Sequence, residues 1–156
     1  PIRFYSLHLT HLSAETRMPQ VRALLRLHGN AQMEGAPVCG GVNGSYWDEG
    51  AAKAPPPDAA ILLGDFNFQP SSGEYDELVG PLSPFGGRVT HPLGFVDGWE
   101  MVGGGEDTGY TSNLKGEPVR IDYAFISASL RDRIRSCWVD HDADGSDHQP
   151  LWIDVT

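Results

Sequence analysis

The chain has 156 residues, of which 40% are hydrophobic, and this is enough to bury the core of one domain. Its 21 acidic residues against 11 Lys and Arg give a formal net charge of −10, which argues against a protein that coats nucleic acid through phosphate contacts alone. No stretch approaches the roughly 20 consecutive apolar residues that a membrane span needs. The two cysteines, Cys39 and Cys137, lack the spacing of a zinc site, and either one disulfide or two free thiols would fit them.

The first third of the chain predicts a strand, a helix and a loop. RFYSLHL over residues 3–9 alternates polar and apolar side chains, as a half-buried strand does. Ser13 is a plausible N-cap for a helix whose apolar residues recur at helical spacing over 16–29, with Gly29 near its predicted end. Residues 30–58 are rich in Gly, Ala and Pro and show no periodicity, so we predict a long irregular loop there.

Strands dominate the predictions for the rest of the chain. AAILLGDFNF (59–68) is a short apolar run, as expected for a strand buried on both faces, and a short helix over 73–81 follows it. Residues 82–118 are loop-rich. Three further strands are predicted, VRIDYAFIS (119–127), SCWVDHD (136–142) and PLWIDVT (150–156). This order of elements predicts a layered α+β domain.

Several polar residues lie in these strands or close to their ends. They are His8, Asp65, Asn67, Asp122, Asp147 and His148. Each has an ordinary structural explanation when taken alone: a strand histidine is more often structural than catalytic, and Asp122 could pair with Arg120 or Arg133. Together, carboxylates, an amide and two imidazoles are the groups that metal-assisted phosphoester hydrolysis uses.

Three motifs in this chain resemble those of a known superfamily. GDFN (64–67), RIDYAFIS (120–127) and SDHQPL (146–151) follow one another, after a helix that carries Arg17 and Gln20 in an R-x-x-Q pattern. In this order they resemble the endonuclease/exonuclease/phosphatase superfamily, which includes DNase I-like nucleases, sphingomyelinase-like enzymes and inositol polyphosphate phosphatases. The resemblance implies a metal-dependent phosphodiesterase or phosphatase.

The resemblance implies a catalytic role for four of the polar residues. Asp65 would orient and deprotonate the attacking water, and Asn67 would help to position the phosphate. His148 would contact a phosphoryl oxygen, with its ring held in orientation by Asp122.

The resemblance also implies a Mg²⁺ or Mn²⁺ cofactor. Asp147 would ligate the metal or a metal-bound water, and Asp65 would contribute to the same site. His8 matches the family's strand histidine and would contact phosphate or assist the leaving group, while His11 is the competing candidate for that role. Thr111, in GYTSN, is expected near the rim of the pocket.

The resemblance covers only the C-terminal half of the family's domain. It implies that residues 1–156 form a single domain that is half of a four-layer α/β/β/α sandwich, with one mixed, mostly antiparallel sheet and helices on its outer face. The family's early Asn and its principal metal-binding Glu belong to the other half, because Glu15, Glu34 and Glu49 all follow the first recognisable strand. Metal binding by this chain alone is therefore expected to be weak or absent.

Two functional hypotheses follow. The first is a phosphoester hydrolase, and the net charge of −10 without a Lys/Arg-rich stretch favours a small-molecule, lipid or sugar phosphate ester over nucleic acid as its substrate. The alternative is a non-catalytic fragment or remnant that binds a partner or acts as a scaffold. Under either hypothesis one sheet face lacks its partner sheet, which predicts a homodimer or packing against a missing N-terminal half.

Overall fold

The computed structural model describes residues 1–34, 57–104 and 109–156. The strands in these ranges are β1 (Arg3–His8), β2 (Ala60–Asp65), β3 (Phe95–Asp97), β4 (Ser112–Leu114), β5 (Glu117–Val119), β6 (Asp122–Ser127), β7 (Ile134–Val139) and β8 (Leu151–Val155). The helices are α1 (Ala14–Glu34), α2 (Gly73–Val79), α3 (Gly98–Met101) and a 3₁₀ helix (Ala128–Arg133). None of the helices in the described part of the chain has the length and apolar character that crossing a bilayer requires.

The main sheet has the strand order β1-β2-β6-β3. β1 and β2 run parallel, whereas β6 is antiparallel to both of its neighbours, β2 and β3. β4 with β5 and β7 with β8 form two additional antiparallel ribbons. The predicted fold class, α+β with a mixed and mostly antiparallel sheet, is confirmed.

Helices α1 and α2 cover one face of the main sheet. Because successive strand residues point to opposite faces, Leu62 and Phe125 point toward the helices and pack against Val21 of α1 and against Tyr75 and Leu78 of α2. Burying an apolar side chain of this size stabilises a fold by about 1.5–3 kcal/mol. This helix-facing layer is the largest hydrophobic cluster of the described residues.

The β7–β8 ribbon covers part of the opposite face. Ile61 and Ile126 point away from the helices and pack with Ile153 and Val155 of the ribbon. The cover stops short of the edge strand β1, where Phe4 is 65% exposed. The described chain is thus layered as helices, sheet and ribbon, with an apolar side chain left in solvent beside the ribbon.

α1 is longer than the sequence predicted. The expected end at Gly29 is wrong, because the helix continues to Glu34 and Ala31 packs in its buried face with only 9% exposure. A glycine inside a helix costs only about 1 kcal/mol, which tertiary packing can outweigh. The predicted irregular loop over 30–58 therefore begins later than expected, and its part over 35–56 lies outside the described residues.

Two predicted strands are shorter than expected. The strand predicted over 59–68 ends at Asp65, since the backbone of Asn67 has a left-handed φ of 54° that a strand cannot accommodate. The strand predicted over 119–127 divides into β5 and β6 with a break at residues 120–121. Both interruptions fall beside the predicted site residues.

Of the two cysteines, only Cys137 is among the described residues. It is a free and buried thiol, and burial raises its pKa to about 12. Cys39 lies outside the described residues, so whether it forms a disulfide or is a free thiol stays a prediction.

Gly64 allows β1 and β2 to approach each other directly before the site. Its φ is +131°, and a Cβ at this position would lie 2.0 Å from the carbonyl oxygen of Leu7. A backbone atom cannot turn aside as a flexible side chain can, so any larger residue would push β1 away from β2. The glycine of GDFN is therefore needed to pair the two strands that carry His8 and Asp65.

We predict that Gly64→Ala destabilises the fold, by about 1–3 kcal/mol from backbone strain and by more if β1 separates from β2. Gly29→Ala is the matched control, because a Cβ at that position would have nothing within 4 Å and the helix should gain about 0.5–1 kcal/mol. Urea denaturation of both variants measures the difference. Equal stability of Gly64→Ala and the unaltered chain would contradict the tight strand pairing.

Candidate active site

The ends of three strands place polar side chains at one edge of the main sheet. Parallel β1 and β2 end at His8 and Asp65, and antiparallel β6 begins at Asp122. The strand register pairs His8 with Asp65 and Asp65 with Asp122. The segment that precedes β8 brings His148 to the same edge, where its ring contacts Asp122. Residues far apart in sequence therefore meet because of the strand order.

The GDFN turn holds the Asp65 carboxylate. Its Oδ1 accepts the backbone N–H of Asn67 at 2.8 Å, and its Oδ2 accepts the Asn67 side-chain amide at 3.0 Å. The same Asn67 Nδ2 donates to the carbonyl of Leu9 at 2.9 Å, and the Leu9 N–H donates to the Asp65 carbonyl at 2.9 Å. Asn67 therefore ties Asp65 to the residue that follows β1. With two amide hydrogens, its Nδ2 is fully engaged by these two acceptors.

Asp122 and His148 form a hydrogen-bonded pair. His148 Nδ1 lies 2.8 Å from Asp122 Oδ2, and since an ionised carboxylate only accepts, the imidazole donates through Nδ1. Burial lowers the pKa of His148, whereas the hydrogen bond and the charge of Asp122 raise it. The charges of Asp65 and Asp147 also raise it, and the net pKa of His148 lies above its ordinary value.

Asp65, Asp122 and His148 can offer ligand atoms that all lie within 4.8 Å of one another. They are the group of metal-binding type found among the described residues. Carboxylate oxygens are the ligands that Mg²⁺ and Mn²⁺ prefer, and Mn²⁺ also accepts imidazole. The two carboxylates therefore fit a divalent cation and leave most of a six-coordinate shell to water or to other groups, whereas His148, whose Nδ1–H donates to Asp122, could ligate only through an unprotonated Nε2.

The remaining predicted site residues lie at the margin of this group. Asp147 is exposed and outside the three-residue group, and its backbone carbonyl accepts a hydrogen bond from Ser112 Oγ at 3.4 Å. The His8 side chain is 74% exposed, with Nε2 3.5 Å from Asp65 Oδ2. His11 is exposed beyond β1. Of the two histidines, His8 is the one beside the carboxylates.

The R-x-x-Q pattern fixes the chain just after His8. Arg17 Nη1 donates to the carbonyl of Thr10 at 3.3 Å, and Gln20 Oε1 accepts the Thr10 N–H at 2.9 Å. Arg17 Nε donates to Glu74 Oε1 of α2 at 3.1 Å, where the Glu74 side chain is buried and that of Arg17 is mostly buried. The helix motif therefore supports the site without being part of it.

Sequence reasoning missed a buried charge network behind β6. The Tyr75 hydroxyl donates to Asp97 Oδ2 at 2.7 Å, and Arg120 forms an ion pair with the same carboxylate, whose side chain is 0% exposed. Arg120 is thus the partner of Asp97 and not of Asp122, so the simple pairing of Arg120 with Asp122 is wrong. The sequence shows Arg120 two residues before Asp122, but it does not show that Arg120 pairs with Asp97, which lies 23 residues away in the chain.

A sequence comparison identifies the family of this chain. The sequence model of the Endonuclease/Exonuclease/phosphatase family matches residues 19–148. The chain belongs to this family. The resemblance read from GDFN, RIDYAFIS and SDHQPL is thereby confirmed. A search of curated proteins finds no match.

Solved structures of the endonuclease/exonuclease/phosphatase fold resemble this chain over nearly its whole length. An endonuclease/exonuclease/phosphatase from Bacteroides vulgatus is 17% identical, with 98% of this chain and 49% of that one covered and a TM-score of 0.58. A mannosyl-6-phosphatase from Bacteroides thetaiotaomicron is 19% identical, with 98% of this chain and 50% of that one covered and a TM-score of 0.57. The APE2 catalytic domain of Xenopus laevis is 15% identical, with 98% of this chain and 49% of that one covered and a TM-score of 0.55. These similarities show the fold, and the chain spans about half the length of these relatives.

We predict that Asp122→Asn lowers the pKa of His148, because the loss of the carboxylate leaves the effect of burial less opposed. A pKa raised in the folded state gives stability that is fully present below the ordinary value of 6.5 and is lost as the pH rises through the raised value. The variant should lack this decline in stability. NMR titration of His148 in metal-free buffer, with urea denaturation across the same pH range, measures both effects. Asp142→Asn, exposed in the neighbouring loop, is the control and should leave the decline in place.

Proposed function

We propose that this chain supplies the Asp65, Asp122 and His148 part of a metal-dependent phosphoester hydrolase site. The observation that carries the proposal is the convergence of these three side chains within 4.8 Å at one sheet edge. Family membership supports the same reaction class, and two of the similar solved structures are named as a mannosyl-6-phosphatase and as an endonuclease/exonuclease/phosphatase. Because the chain spans about half of those relatives, the complete site draws on groups beyond it.

Asp65 acts as the base in this proposal. Its carboxylate is held by Asn67 at both oxygens, and the side chain keeps 17% of its surface exposed, so a water can reach it. A fixed carboxylate can orient a water for in-line attack on phosphorus and take its proton. Asn67 is then first of all the residue that holds Asp65, and it would contact phosphate only through its amide oxygen or after rearrangement.

His148 stabilises charge on the phosphoryl oxygens. Asp122 holds its Nδ1, so Nε2 is the nitrogen left to face a substrate, and the raised pKa favours the protonated ring. A positively charged donor aimed at the site where negative charge grows stabilises the transition state. His8 is exposed beside Asp65 and can contact phosphate or the leaving group.

Mg²⁺ or Mn²⁺, held by Asp65 with Asp147 or Asp122, would polarise the phosphoryl group and neutralise its charge. Asp147 lies outside the three-residue group, so its part in metal binding requires the SDHQPL segment to turn its side chain inward. Without the family's Glu, the chain alone should bind the cation weakly.

We propose a small-molecule, lipid or sugar phosphate ester as the substrate, in preference to nucleic acid. The segment over 140–147, which directly precedes His148 in the chain, carries Asp140, Asp142, Asp144 and Asp147, and the last three are exposed. A polyanion would meet this negative charge on approach, whereas a single phosphate can enter between the charges.

Hydrolysis of a substrate panel tests the function. Plasmid DNA, sphingomyelin, inositol phosphates and a sugar phosphate are incubated with Mg²⁺ or Mn²⁺ and the longest natural protein that contains this chain. Asp65→Ala should lower kcat by about 10²–10⁴-fold, the usual contribution of a general base, whereas Asp142→Ala should leave it nearly unchanged. Activity that persists undiminished in Asp65→Ala would refute the catalytic assignment.

The same assay separates the hydrolase from the non-catalytic alternative. If the longer protein hydrolyses nothing, calorimetric titration with Mn²⁺ shows whether the site is still a metal site. Binding that is lost in Asp65→Ala and retained in Asp142→Ala keeps the metal proposal. No binding in any form would favour the remnant that binds or scaffolds a partner.

We propose further that the uncovered part of the sheet packs against a second copy of the chain when the family's other half is not supplied. Phe4 is 65% exposed on the face whose other part the β7–β8 ribbon buries, and among the described strands β1 pairs only with β2. An apolar side chain and an open strand edge together favour association. The other half of the domain would take the same place in a longer protein.

Size-exclusion chromatography with light scattering should therefore give a mass of twice the 17.0 kDa of the chain, or more. Phe4→Lys should shift the mass to that of the monomer, because the added charge would have to be buried. Leu27→Lys on α1 is the control, since Leu27 is 57% exposed on the helical side. A monomeric unaltered chain would rule out the dimer.

A further inference from the structure

Thr111 is bonded to both sides of the Asp122–His148 pair. The residue is 0% exposed, so it is buried beside the site, whereas its motif predicted only a position near the pocket rim. Its Oγ1 accepts the backbone N–H of Ile121 at 3.2 Å and that of Asp122 at 3.1 Å. Its carbonyl accepts the N–H of Gln149, which follows His148, at 2.6 Å. One residue therefore contacts the two chain segments that supply the pair.

The hydroxyl secures the start of β6, where the chain leaves the break at residues 120–121. The Ile121 carbonyl accepts the N–H of Phe66 at 2.8 Å, which ties this point to the end of β2. The Thr111 hydroxyl takes the N–H groups of Ile121 and Asp122, and an oxygen with two lone pairs can accept both. The backbone of Asp122 is thus held to β2 and to Thr111 together.

The segment of His148 is held by the same short stretch of chain. Thr111 accepts from Gln149, and the adjacent Ser112 donates to the carbonyl of Asp147 at 3.4 Å. The residues on either side of His148 are therefore both bonded to the Thr111–Ser112 pair. Hydrogen bonds that fix the backbone on both sides of a carboxylate–imidazole contact help to hold its geometry.

We propose that Thr111 is a positioning residue, whose hydroxyl sets the 2.8 Å contact between Asp122 and His148. The importance of this contact for catalysis rests on the proposed function, but the contact itself is a property of the chain. A general packing role would require only the shape of the side chain. A positioning role requires the oxygen, and this difference can be tested.

The experiment follows the His148 Nδ1–H proton by NMR in the metal-free 156-residue chain. A ring proton donated to a carboxylate resonates far downfield and exchanges slowly, so it reports the pair directly. Thr111→Val keeps the shape and removes the oxygen, while Thr111→Ser keeps the oxygen and removes a methyl group. Thr90→Val is the matched control, because it also removes a part-buried hydroxyl, which bonds the Val79 carbonyl.

We expect the downfield resonance to be lost or shifted upfield in Thr111→Val and to be retained in Thr111→Ser and in Thr90→Val. A resonance that is unchanged in Thr111→Val would overturn the proposal and leave Thr111 a packing residue. Loss of the resonance in Thr90→Val as well would also overturn it, because the effect would then follow any loss of stability.

If Thr111→Val does not fold, amide hydrogen exchange in the unaltered chain provides the test. The amides of Ile121 and Asp122 should exchange as slowly as those paired within β6, and exchange at the rate of exposed loop amides would overturn the proposal. Neither readout uses activity. If no substrate of the panel is hydrolysed, the proposed function is contradicted and the role of Thr111 is unaffected. If the NMR test fails, the role of Thr111 is contradicted and the proposed function is unaffected.

Discussion

Two carboxylates, Asp65 and Asp122, lie directly opposite each other at the ends of paired strands. Their negative charges repel each other, and the neighbouring polar groups of the site offset this repulsion. Like charges held this close are stable only when cations, hydrogen-bond donors or protons offset them. Here Asn67 donates twice to Asp65 and His148 donates to Asp122. The same arrangement that costs free energy in the isolated chain is what attracts a divalent cation or a protonated imidazole.

The strands that carry the site residues are fixed by buried polar contacts with the helices and with neighbouring segments. Asp97 is fully buried between Tyr75 and Arg120, so β3, α2 and the residues before β6 are held together by one carboxylate. Removing one partner of a buried pair is costly, because the other charge is left without compensation. Arg17 and Glu74 serve in the same way between α1 and α2. These buried contacts therefore tie the helices and the strand ends to one another.

The chain spans about half of its solved relatives, and one part of its main sheet leaves an apolar side chain exposed. The ribbon of β7 and β8 protects the sheet near β6 and β3, but the side near β1 keeps Phe4 in solvent. His8 lies on this same open side, next to Asp65. The exposed face of β1 and the candidate site are therefore adjacent.

The sequence by itself determined the family, the fold class and the identity of the clustered residues, because GDFN, RIDYAFIS and SDHQPL are local patterns that need no knowledge of the fold. Only the tertiary structure decided which of these residues meet: Asp122 joins His148 and not Arg120, and Asp147 lies outside the group of three. It also decided where α1 ends, since the burial of Ala31 outweighs the helix-ending preference of Gly29. The role of Thr111 was equally hidden, because its bonds join segments that only the strand order brings together. Local structural preferences depend on neighbouring residues and can be read from the sequence. The partners of a residue across a sheet depend on strand register and packing, which distant parts of the chain determine together.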